Sequence, residues 1–131
     1  MDFISAEEFL KQPKEIQEVF LDWWKLSIGD IFMIEKTISF NGDKHNFIEC
    51  FLTGFEVADL IETERKRIIC PLFTECQLRK FINKYGYQIE VDEYNCEFEL
   101  MCWKDGRKKY AIENDLLQAY WKVACEIAKE R

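Results

Sequence analysis

Four carboxylates stand close together in the second half of the chain: Glu90, Asp92, Glu97 and Glu99. Carboxylates at two-residue spacing on a strand share one face. Such a group can hold Mg²⁺ or divide acid and base roles, as in nucleases and glycosidases. No base falls between residues 87 and 103, so nothing local supplies the lysine or histidine that such sites often add. The solvent side of a half-buried sheet has the same pattern, and this plainer reading is preferred. The single histidine, His45, precedes Cys50 beside a predicted turn. A Ser–His triad would rest wholly on it, and a zinc site would need distant cysteines as well; a solvated turn residue is the simpler reading. The six cysteines include no Cys-x-x-Cys pair, and in a reducing compartment most read as small buried hydrophobes. There is no Gly-rich phosphate loop, G-x-S-x-G, H-E-x-x-H or EF-hand loop. The residues therefore point away from an enzyme, and no cofactor or metal is expected.

Cations gather in two places. Arg65, Lys66 and Arg67 with Arg79, Lys80 and Lys84 form a basic island, and Lys104, Arg107, Lys108 and Lys109 surround a later turn. The island could contact phosphates, but the aromatic interleaving used by single-strand binders is weak in both clusters. A solvated face balancing the acidic strands is preferred. Trp23 and Trp24 are adjacent, and neighbours on a helix project about 100° apart. Trp23 continues the apolar stripe of Ile16, Val19 and Phe20. Trp24 is therefore expected at the core margin or on the surface, where Trp is a favoured interface anchor.

The elements that must position these side chains follow from periodicity and capping. Ser5 with Glu8 has capping-box spacing and predicts a short helix to about Lys11. Pro13 suits the start of a second helix that Gly29 ends. Residues 31–40 and 45–53 read as strands joined at Asn41-Gly42, a strong hairpin signal. Residues 54–69 are ambiguous, and Pro71 closes that region. Thr74 with Gln77 repeats the capping-box spacing before a stripe of Leu78, Phe81, Ile82 and Tyr85 that stops at Gly86. Tyr87, Ile89 and Val91 alternate on one strand, and Cys96, Phe98, Leu100 and Cys102 on the next. Asp105-Gly106 turns into a strand from Lys109 to Ile112, and Asn114 caps a last helix. Antiparallel hairpins and a meander packed with N-terminal, central and C-terminal helices make the fold α+β, in one domain over residues 1–131.

With 131 residues, 15% of them aromatic, the chain can bury one core. No apolar run approaches the roughly 20 residues of a membrane helix. The N-terminal residues are acidic where a secretory signal is basic and then apolar, so a cytoplasmic protein is expected. Net charge is −7, which repels nucleic acid at a distance. Direct nucleic-acid binding is thus not the leading expectation. Residues 1–64, with 14 acids against 5 bases, and 87–103, with 5 acids and no base, would suit a basic partner.

Three stretches resemble a family. WWKLSIGD at 23–30, ICPLFTECQLRKFI at 69–82 and DLLQAYWKVACEIA at 115–128 are similar to small uncharacterised proteins of phages and prophages of Gram-positive bacteria. The resemblance runs from near residue 5 to the end, with 31–68 poorly matched. The chain departs from the group at Leu26, where the group has Pro, and at Cys76, where it has Gly; both differences leave the helices intact. No site residue is carried over. The resemblance implies a phage-borne accessory protein acting inside a bacterial host. Its expected role is a non-enzymatic modulator or inhibitor that binds a host protein, such as a basic nucleic-acid-binding or defence protein, in an anti-CRISPR-like manner. Trp24, Glu90, Asp92, Glu97 and Glu99 are the candidate contacts. The alternatives are a small metal-dependent enzyme using the carboxylates at 90–99, and a phosphate-binding module using Arg65, Lys66, Arg67, Arg79 and Lys80.

Overall fold

Ser5 and Pro13 begin the two N-terminal helices. Ser5 Oγ accepts a hydrogen bond from the Glu8 backbone N–H at 3.2 Å, and α1 runs Ala6–Leu10. Pro13 stands at the N-cap of α2, Lys14–Trp23, which buries Ile16 and Phe20. A computed structural model describes residues 2–25, 30–52 and 68–131 of the chain. Strand β1, Ile31–Phe40, turns at Asn41-Gly42 into β2, Asp43–Leu52. The two turn residues have φ of 50° and 81°, the positive values that a type I′ turn requires. β3, Ile68–Leu72, pairs antiparallel with the other side of β1, giving the order β2-β1-β3. Pro71 was expected to close the preceding region; instead it lies within β3. An edge strand tolerates the missing donor. His45, expected beside the turn, is inside β2 opposite Ile38.

The second half is a meander framed by helices. α3, Glu75–Lys84, starts on the expected capping box: the Thr74 backbone N–H donates to Gln77 Oε1 at 2.9 Å, and the Gln77 N–H donates to Thr74 Oγ1 at 3.4 Å. Gly86, at φ 90°, releases the chain into β4, Gln88–Tyr94. β5, Glu97–Lys104, and β6, Arg107–Glu113, complete a sheet of order β4-β5-β6. α4, Leu116–Lys129, closes the chain, capped by Asp115 rather than Asn114: Asp115 Oδ1 accepts from the Leu117 N–H at 3.0 Å. Cys96 was expected in a strand. It lies instead in a third hairpin turn, with Asn95 and Cys96 at φ of 50° and 63°. The fold is α+β, with two antiparallel sheets among the described residues.

The core is largely aromatic. Phe20 sits at its centre, with ring centroids 4.5 Å from Phe81, 5.1 Å from Trp121 and 5.5 Å from Phe73. Such offset and tilted contacts between rings add to burial itself. α4 supplies Tyr120, Trp121, Val123, Ala124 and Ile127 to this core. It also packs on one face of β5 and β6, burying Leu100, Cys102 and Ala111. That contact fixes which face of the second sheet is left outside.

Candidate functional site

Side chains alternate across a strand, so the register of the meander decides what its outer face carries. Across β4, β5 and β6 the rows are Gln88, Trp103 and Lys108; Glu90, Met101 and Tyr110; Asp92, Glu99 and Ile112. Tyr94 lies opposite Glu97 at the end. The sequence-derived carboxylates are all here: Glu90, Asp92 and Glu97 are exposed and Glu99 is half-buried. Asp92 and Glu99 are direct cross-strand neighbours, a like-charge pairing that opposes folding. Among the described residues none of the four forms an ion pair.

Interleaved with these acids are large exposed side chains that sequence reasoning missed. Tyr94 is 76% exposed, Tyr110 62%, Ile112 50% and Trp103 43%. At the end of the face away from Tyr94, Lys108 Nζ lies 5.1 Å from the Trp103 ring centroid and 5.3 Å from that of Tyr110. Cation–π attraction holds the two rings and the ammonium as a unit. The signal for these side chains was present in the sequence. Met101 and Trp103 continue the phase of Glu97 and Glu99, so the alternation that placed the acids outside also places these side chains there.

On the opposite face, burial holds the Cys102 thiol at about 11. Cys70 lies at about 11 and Cys125 at about 12 for the same reason. All three are free and protonated at neutral pH, which makes them weak nucleophiles. Cys76 and Cys96 are free and exposed. Among the described residues no three His, Cys, Asp or Glu side chains group to hold a metal ion. The Asp92–Glu99 pair thus stands without a third ligand.

Trp24 requires a correction. It was expected to project outward while Trp23 entered the core, yet Trp24 is 7% exposed and Trp23 is half-buried. The helix ends between them: Trp24 is the C-cap of α2, with an extended backbone at φ −70° and ψ 125°, so the 100° rule does not apply to it. Its Nε1 donates to Asp30 Oδ2 at 3.1 Å, and Asp30 Oδ1 accepts from Gln77 Nε2 at 3.0 Å. Trp24 therefore ties the end of α2 to the capping box of α3. Trp23 packs edge-on against Phe81, centroids 5.2 Å apart.

The described residues of the basic island do not form one patch. Arg65, Lys66 and Arg67 lie outside the described residues. Arg79 and Lys80 are adjacent on α3 but open onto different clefts, Arg79 beside Glu75 and Asp115, Lys80 beside Trp23 and Trp24. No helix among the described residues is long and apolar enough to cross a membrane. No family model, curated protein or solved structure matches the chain.

Proposed function

We propose that the protein is a non-enzymatic binding module, a modulator or inhibitor of another protein, and that it docks through the outer face of β4, β5 and β6. The observation that carries this is the joining of two features on one sheet face: carboxylates that form no ion pair among the described residues, and exposed aromatic rings. Trp and Tyr are the side chains that most often anchor interfaces. Glu90, Asp92, Glu97 and Glu99 beside them suit a partner whose contact surface is basic around an apolar centre. Binding such a partner relieves the Asp92–Glu99 repulsion and speeds encounter. A nucleic-acid-binding protein of a bacterial host, including a defence nuclease, has the required surface. This fits the phage-accessory, anti-CRISPR-like role that the sequence resemblance implies.

Paired pull-downs from a bacterial lysate test the reading. The baits are the wild type, a Trp103→Ala/Tyr110→Ala variant, an Asp92→Lys/Glu99→Lys variant and a control on the far side, Lys122→Ala. A basic protein held by the wild type and the control, lost from both face variants and released by salt supports the proposal. A protein held equally by all four baits contradicts it.

A further inference from the structure

Lys80 and Lys84 lie one turn apart on the exposed side of α3. Both line a cleft of about 390 Å³ whose wall includes Trp23 and Trp24. Its carboxylate, Asp30, already accepts hydrogen bonds from Trp24 Nε1 and Gln77 Nε2. Among the described residues neither Lys80 nor Lys84 forms an ion pair. A second cleft of about 420 Å³ adjoins the first, sharing Trp23 and Lys84 and adding Asp22, Tyr85 and Arg131. The Arg131 guanidinium lies 4.3 Å from the Tyr85 ring centroid. Half-exposed indole, stacked guanidinium and lysines thus meet on one side of a chain whose net charge is −7. They come from α2, α3 and the C-terminus, so neither basic cluster shows this grouping in the sequence.

A planar ring beside ammonium groups suits a ligand with a flat aromatic part and a phosphate part. Stacking on an indole tolerates any base, and lysine holds phosphate as a point charge. A long polyanion would meet repulsion from the rest of the surface, which favours a short ligand. We propose that the cleft binds a nucleoside phosphate, with the base on Trp23 and the phosphates at Lys80 and Lys84. This site lies apart from the outer face of the second sheet and does not depend on the binding reading given for that face.

Calorimetric titration of the full chain tests it, with ATP, GTP, inorganic triphosphate and a ten-residue oligothymidylate as separate probes. Both nucleotides are expected to bind, and inorganic triphosphate to bind at least about tenfold more weakly because it lacks the stacked base. Lys80→Gln/Lys84→Gln is expected to weaken nucleotide binding by about tenfold or more, while Arg79→Gln, on the neighbouring cleft, leaves it unchanged. Both lysines are exposed, so a melting curve matching the wild type verifies that the double variant folds. Tighter binding of the oligothymidylate than of either nucleotide overturns the nucleoside phosphate as the ligand. No heat with either nucleotide or oligothymidylate at millimolar concentration overturns the proposal. So does equal affinity in the double variant, or inorganic triphosphate binding as tightly as ATP.

Discussion

The two faces of the β4–β6 sheet are built from the same three strands and meet different fates. On the inner face Leu100 and Cys102 are fully buried and Ala111 nearly so, sealed by α4. On the outer face Trp103, Tyr110 and Ile112 remain open to solvent. Apolar content alone does not separate them, since the outer rings are larger than the inner side chains. What separates them is the phase of the alternation relative to α4, which covers one face of β5 and β6. The inner face supplies folding free energy in proportion to the area it removes from water. The outer face supplies little of it, which leaves its rings available for a second molecule.

The largest effects are expected at buried side chains. Trp24→Ala removes a buried indole and its hydrogen bond to Asp30, and a loss of about 3–5 kcal/mol is expected. Leu100→Ala should lose about 2–5 kcal/mol. Urea melts read both, and a cost below about 1 kcal/mol for Leu100→Ala would erase the contrast between the faces. Trp103→Ala and Tyr110→Ala, in the same melts, are each expected to stay within about 1 kcal/mol of the wild type. A larger loss would mean that the outer rings hold the sheet together.

The turn between β4 and β5 allows a gain. Cys96 occupies a left-handed conformation that costs an ordinary side chain roughly 1–2 kcal/mol, whereas Gly42 and Gly106 fill the matching positions of the other hairpins. Cys96→Gly should therefore raise stability by about 0.5–1 kcal/mol, less the extra chain entropy of glycine. A fall in melting temperature would show that the turn prefers the cysteine.

The smallest effect concerns pH. Lys109, from the inner side of β6, forms an ion pair with Glu130. The hydrogen bond from Lys109 is the main cause that holds the Glu130 carboxyl below its ordinary value. The same contact raises Lys109. A depressed carboxyl contributes stability above its unfolded value, about 4.3, and loses it as pH falls through the folded value. Between pH 7 and pH 3 the wild type should therefore lose slightly more stability than Glu130→Gln, by no more than about 1 kcal/mol for so exposed a pair. Identical pH profiles would remove the pair from the stability of the inner side.

Much of this was legible in the chain. Asn41-Gly42 and Asp105-Gly106 announced two hairpins, Thr74 with Gln77 announced α3, and the parity of Glu97 and Glu99 placed the acids outside. The failures share a cause, which is that tertiary contacts decided what local rules left open. Trp24 faces inward because α2 stops at Trp23 and the extended C-cap turns the next side chain toward Asp30. Cys96 defines a turn without glycine because the pairing of Tyr94 with Glu97 leaves only two residues to reverse the chain. The cleft at Lys80 escaped notice because Trp23 and Trp24 reach it from α2, far from Lys80 in the sequence.

The docking role of the outer face is tested most directly with a purified partner that the wild type retains and the face variants release. Titration calorimetry would compare the wild type with Trp103→Ala/Tyr110→Ala, alongside melting curves of both proteins. Hot-spot aromatics each carry about 2 kcal/mol or more of binding, so a one-to-one complex weakened by about a hundredfold or more is expected, with a nearly unchanged melt. An unchanged dissociation constant in the double variant would contradict the account.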